Sequence, residues 1–193
     1  MSTRRIYVAS LSDYNSGNLH GVWIDTEGKD ADELQADVSA MLRESRYPNI
    51  TVDCPECDGD GCAACNDSGS IPSAEEYAIH DHEGFGRMVE EYTSLSDVAE
   101  LEETLSECDE PDAFIAYSDH VGGATLSQFQ DAYCGEWDSE LAYAENLFDE
   151  CYAHDIPENL RFYIDYEAFQ RDLFINDCFS EESETGVYVF NRI

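Results

Sequence analysis

Four cysteines within twelve residues are the groups in this chain best placed to do chemistry. Cys54, Cys57, Cys62 and Cys65 follow the spacing C-x2-C-x4-C-x2-C in the run CPECDGDGCAAC. Two C-x-x-C knuckles so close together can turn four soft thiolates onto one tetrahedral ion, and Zn2+ suits such a donor set. Gly59 and Gly61 allow the left-handed turns that so short a loop needs. A four-thiolate site is coordinatively closed, so a single Zn2+ here is expected to be structural. Redox dithiols or disulfides are the other chemistry open to this spacing. Cys108, Cys134, Cys151 and Cys178 are scattered and read as buried free thiols.

No comparable set points to catalysis. His20, His80, His82, His120 and His154 lie outside any metalloprotease, triad or kinase pattern. His80 and His82 alternate as strand residues do, which suits either a metal pair or a strand end with incidental imidazoles. Gly84 and Gly86 lack the third glycine of a dinucleotide fingerprint. With 44 acidic residues, carboxylate pairs arise by chance and no acid–base couple stands out. A non-enzyme is expected.

Charge is the dominant property. Against those 44 acids stand 9 Lys plus Arg, a formal net of −35, where ordinary small domains carry magnitudes of roughly 2–8. That balance excludes direct binding of nucleic acid or an anionic membrane, and favours a basic partner. Residues 1–53 carry a net of −4, residues 54–110 of −16 and residues 111–193 of −15. The acids are interleaved with aromatic and apolar residues, unlike those of a disordered acidic tail. Duplex DNA carries one charge per about 1.7 Å of axis, so 35 charges match about 60 Å of duplex. Salt adaptation explains the same excess differently, and the single lysine, Lys29, among the nine basic residues fits it.

The elements that position these groups follow from periodicity. Residues 6–10 and 19–24 read as strands across a cluster of turn formers at 13–18. Residues 30–46 read as an amphipathic helix with Leu34, Val38, Met41 and Leu42 inward, and residues 76–80 as a strand returning to the first hairpin. From Ser94 to about Arg171 the pattern is mostly helical, with capping-box signatures at Ser94 and Thr125. In the first helix of that stretch Val98, Leu101 and Leu105 face inward, and Glu100, Glu103 and Glu107 form an outer acidic stripe. In residues 138–153, Leu141, Ala144, Leu147 or Phe148 and Cys151 recur at helical spacing, with Asp138, Glu145 and Asp149 along an exposed line. Residues 186–190 read as a late strand. The expected class is α+β: an elongated chain of small subdomains, with an N-terminal antiparallel sheet and one helix, a largely helical middle and an α+β C-terminal part. Expected boundaries are 1–92 (carrying the insert 50–74), 93–124 and 125–193. No run of 18 apolar residues is present, so no membrane span is expected. Arg4 and Arg5 precede no secretory signature, and a cytoplasmic location is expected.

The blocks RIYVASLSDYNSGNLHGVWID at 5–25 and EYAIHDHEGF at 76–85 resemble the start of the ArdA antirestriction proteins, and FQDAYCGEW at 129–137 and YIDYEAFQRDL at 163–173 resemble that family's later blocks. The resemblance spans residues 4–49 and 76–193; the intervening insert, whose glycine placement resembles the zinc repeats of the DnaJ chaperones, departs from it. It implies a three-part, elongated, curved homodimer whose acidic surface imitates bent DNA and fills the DNA-binding groove of type I restriction-modification enzymes. The family's antirestriction motif, also associated with its dimer contact, falls at about residues 126–147. There Leu126, Phe129, Tyr133 and Trp137 are the implied motif or dimer-contact residues, and Asp131, Glu136, Asp138 and Glu140 the acidic face. The competing expectation is an enzyme or zinc-dependent adaptor whose acidity is salt adaptation.

Overall fold

A computed structural model describes residues 3–192, in a mixed α+β architecture that divides into two compact units, residues 1–107 and 108–193. The helices at the two ends of the expected 93–124 segment fall in different units.

The first unit opens with strand β1 (Arg5–Ser10), a short helix α1 (Leu11–Asn15), strand β2 (Gly21–Asp25) and helix α2 (Ala31–Arg43). Asp30 caps α2, accepting from the Glu33 amide while the Glu33 side chain accepts from the Asp30 amide. Leu34, Val38, Met41 and Leu42 are the buried face of α2, as the periodicity predicts. A two-stranded hairpin, β3 (Ile50–Asp53) and β4 (Ser70–Ser73), carries the cysteine loop. Strand β5 (Tyr77–Glu83) then returns beside β1, giving an antiparallel sheet ordered β2-β1-β5. Ile6, Val8, Ile24, Ile79 and Phe85 join the α2 face in the core.

Helix α3 (Leu95–Glu107) starts at Ser94, whose hydroxyl accepts from the Asp97 amide. It buries Leu95, Val98 and Leu105, and also Glu102, which the outer-stripe pattern gives no reason to expect. Arg4 grips the Glu102 carboxylate with two bonds of 2.8 Å, and the Thr26 and Ser106 hydroxyls each donate to it at 2.9 Å. Burial alone would raise the Glu102 pKa; Arg4, Ser106 and Thr26 more than offset this and hold it below the ordinary carboxylate range. A second buried carboxylate, Asp13, accepts from Ser10 at 2.8 Å, from the Arg46 amide at 3.1 Å, from Asn18 at 3.2 Å and from the Ser45 hydroxyl. It ties the β1–β2 connection to the end of α2.

The second unit contains helix α4 (Pro111–Val121), helix α5 (Leu126–Ala132), strand β6 (Tyr133–Trp137), helix α6 (Glu140–Cys151), helix α7 (Tyr166–Asn176), strand β7 (Cys178–Glu182) and strand β8 (Val187–Asn191). Its antiparallel sheet is ordered β6-β8-β7. Alternation along the strands gives the sheet two working faces. Phe179 and Phe190, opposite one another in register, meet Tyr117 and Phe129 on one side, with Phe114 packed against Phe129. Cys178 and Val189 meet Tyr143, Ala144 and Leu173 on the other.

The stretch read as mostly helical also contains strand β6: the chain leaves α5 in extended geometry at Tyr133, and a register shift between Tyr133 and Gly135 (φ +103°) fits it to β8. Residues 153–155 and 158–163 are 3-10 turns that follow α6. One expectation is corrected here. Of the scattered cysteines only Cys178 is buried; Cys108 and Cys134 are half-buried and Cys151, at the exposed end of α6, faces solvent.

Glu102→Ala leaves Arg4 without its carboxylate in a largely desolvated place and is expected to destabilise the first unit by about 2–4 kcal/mol, measurable by urea unfolding. Because the folded Glu102 pKa is depressed, its contribution is complete above the unfolded value of about 4.3 and is lost as pH falls through the folded value. Glu102→Gln is therefore expected to flatten the acid limb of the stability–pH curve relative to the parent chain.

Candidate metal centre and acidic surface

The β3–β4 hairpin holds the ends of the cysteine loop together, and local turns do the rest. The Cys54 amide donates to the Gly69 carbonyl at 2.9 Å, fixing the first knuckle to the exit of the loop. Each C-x-x-C closes as a tight turn, with Cys57 N–H on the Cys54 carbonyl and Cys65 N–H on the Cys62 carbonyl, both at 3.2 Å. Left-handed residues follow each knuckle: Asp58 and Gly59 after the first, Asn66 and Asp67 after the second. Gly69, at φ +74°, lies so close to Gly59 that a β-carbon would sit 2.2 Å from the Gly59 carbonyl oxygen. Only glycine fits that crossing.

This backbone brings the four sulfurs within 4.8 Å of one another. The Cys54–Cys62, Cys57–Cys65 and Cys62–Cys65 separations are each 3.9 Å. A tetrahedral ion with bonds of about 2.3 Å to sulfur needs sulfur–sulfur separations of about 3.8 Å, so the set fits a tetrathiolate ion. The Cys62 amide, 3.2 Å from the Cys65 sulfur, lowers that thiol to about 6. At Cys54 the Glu56 amide lowers the pKa, but burial and the other three thiols win and raise it to about 11. All four are free thiols, and they are the group that could hold a metal ion among the described residues. His80 instead packs edge-on against Tyr14 at 4.9 Å.

The loop is anionic as well. Asp53, Glu56, Asp58, Asp60 and Asp67 are all exposed, and no Lys or Arg occurs between Arg46 and Arg87.

The remaining expected acidic residues are exposed apart from one. Glu100, Glu103 and Glu107 are exposed on α3 and line a groove of about 540 Å³ facing Lys29 and the start of α2. In the second unit Asp131, Glu136, Asp138, Glu145 and Asp149 are exposed, while Glu140 is half-buried and accepts from Gln170 and Ser180 at 2.7 Å each. Glu136 accepts from the Ser183 and Thr185 hydroxyls, which lower its pKa. The implied contact residues divide similarly. Phe129 is buried in the chain's own aromatic core, whereas Leu126, Tyr133 and Trp137 are partly exposed. Burial, then the nearby Glu110, raises the Tyr133 hydroxyl to about 12. The Trp137 indole donates to the Cys134 carbonyl at 3.0 Å and packs edge-on against Tyr143. Sequence reasoning missed Asp13 and Glu102, whose residue types point to solvent; an arginine just before the first strand was the one available signal for Glu102.

Comparison with known families matches residues 6–188 to a model described as antirestriction protein (ArdA). No curated protein matches the chain.

Gly69→Ala is expected to weaken Zn2+ binding by about 10–100-fold in competition with a chromophoric chelator, because the ligands stay and only their support shifts. Phe129→Ala is expected to destabilise the second unit by about 3–5 kcal/mol in urea unfolding, the signature of a core residue.

Proposed function

This chain belongs to the ArdA antirestriction family, and from that premise we propose that it acts as a DNA mimic, without catalysis, in the DNA-binding groove of type I restriction-modification enzymes. The observation that carries this reading is the distribution of charge over folded, carboxylate-studded surface. Residues 1–107 hold 24 acidic against 6 basic residues, and residues 108–193 hold 20 against 3, nets of −18 and −17. Neither unit is a neutral scaffold carrying an acidic tail. A receptor that grips phosphates with Lys and Arg meets preorganised carboxylates in their place, and opposite fields speed the encounter. Occupying the groove excludes DNA, blocking restriction and, where the same groove serves methylation, modification.

The reading extends to assembly and metal. Leu126, Tyr133 and Trp137, all partly exposed, are the proposed contact with a second copy of the chain; Tyr133 stacks on buried Phe129, whereas Trp137 packs against Tyr143. One Zn2+ is proposed on Cys54, Cys57, Cys62 and Cys65, whose spacing fits it, and its part is structural. The host cytoplasm, where restriction enzymes meet incoming DNA, is the proposed location.

The test is competition. With folded protein in excess, a type I enzyme is expected to lose binding to a labelled duplex carrying its site, and inhibition should weaken steeply as salt rises. Neutralising single carboxylates such as Glu103→Gln or Asp149→Asn is expected to change inhibition by less than about fivefold, since exposed pairs contribute about 0–1 kcal/mol each. Unimpaired DNA binding by the enzyme overturns the proposal, and unfolding of the chain below molar salt would favour salt adaptation as the source of the charge.

A further inference from the structure

The cysteine hairpin stands apart from the sheet that precedes and follows it. Strands β3 and β4 pair with each other and with no strand of the β2-β1-β5 sheet. At the hairpin's base the Asn49 amide donates to the Ser73 carbonyl, the Ala74 amide to the Leu42 carbonyl, and the Glu75 amide to the Asn49 side chain, each at 3.0 Å. Between Asp53 and Ser70 there is no apolar side chain larger than Ala apart from Pro55, which is exposed, and both alanines, Ala63 and Ala64, are exposed. The buried side chains of this stretch are those of Cys54 and Cys65. The sulfur cluster is therefore its entire core.

Local turn hydrogen bonds and the Cys54–Gly69 bond are the other contacts that order the stretch; its charge and backbone freedom oppose order. Asp58, Asn66 and Asp67 sit at positive φ without being glycine. Gly59, Gly61 and Gly69 have the most backbone freedom to lose. Five carboxylates repel one another with no cation in the segment. By contrast the core of the sheet (Ile6, Val8, Ile24, Leu34, Val38, Phe85, Val98 and Leu105) and the Arg4–Glu102 pair take nothing from the loop.

We infer that residues 54–69 order and disorder with divalent-metal occupancy of the four cysteines, while the β2-β1-β5 sheet with α2 and α3 stays folded. The inference rests on the reading of those thiols as a metal site. Metal binding at a site that the bare chain does not hold open is local folding. Metal supply then sets whether the loop's carboxylates form a fixed array or a mobile one.

The experiment uses the full chain, loaded with one equivalent of Zn2+ and then stripped with chelator under reducing conditions. It is followed by metal analysis, thiol titration and hydrogen exchange resolved by peptide. Removal of Zn2+ is expected to speed exchange in residues 54–69 at least hundredfold, reversed by re-addition, with β1, β5 and α3 unchanged within twofold. A Cys57→Ser/Cys62→Ser variant should reproduce that pattern without chelator. Loss of protection across the sheet on stripping overturns the inference, as does persistent protection of the loop in metal-free protein. Failure to take up Zn2+ at all, read by metal analysis before any exchange is measured, overturns the metal reading itself and with it this inference.

Discussion

Repulsion between like charges is the constraint under which every part of this chain folds. With 44 acids and 9 Lys plus Arg, at least 35 carboxylates have no basic side chain to themselves. Most are held at the surface, on turns and strands as well as on helix faces opposite the apolar ones, where water screens them. Hydroxyl groups hold several of the others: Ser10 and Ser45 at buried Asp13, Thr26 and Ser106 beside Arg4 at buried Glu102, Ser180 at half-buried Glu140, and Ser183 and Thr185 at exposed Glu136. A hydroxyl stabilises a carboxylate without cancelling its charge. The chain thus fixes its acids in place while remaining strongly negative, a combination that lysine partners would defeat.

The same constraint accounts for the contrast between the two kinds of core. In the second unit, aromatic side chains on both faces of a three-stranded sheet supply enough buried surface to work against the field. In the cysteine loop no such surface exists, and convergence of four sulfurs takes its place. A metal ion bound there would be able to organise a segment too short and too charged to bury more than Cys54 and Cys65.

Much of this is readable in the sequence where the determining interactions are local. The α2 face emerges residue by residue from its 3.6-residue period, the capping box at Thr125 forms as its spacing to Gln128 predicts, and cysteine spacing alone locates the four thiols that converge and could hold a metal ion. Non-local pairing is the obscure part. Strand β6 finds its partner β8 about fifty residues along, and nothing within Tyr133–Trp137 announces a strand more strongly than a helix. Glu102 is buried only because Arg4 reaches it from 98 positions away. Cys151 occupies an inward helical position by count, yet it lies where α6 ends and nothing covers it.

The hydrogen bond between Asn49 and Ser73 sets the entry and exit of the cysteine hairpin side by side. Chain length between two adjacent points is free to vary without displacing what lies on either side, because closing a longer loop adds little entropy loss. The hairpin therefore leaves and rejoins the first unit at a single place, beside the end of α2, where the Ala74 amide meets the Leu42 carbonyl. A change in the length of its tip would be absorbed within the hairpin before it reached the strands on either side.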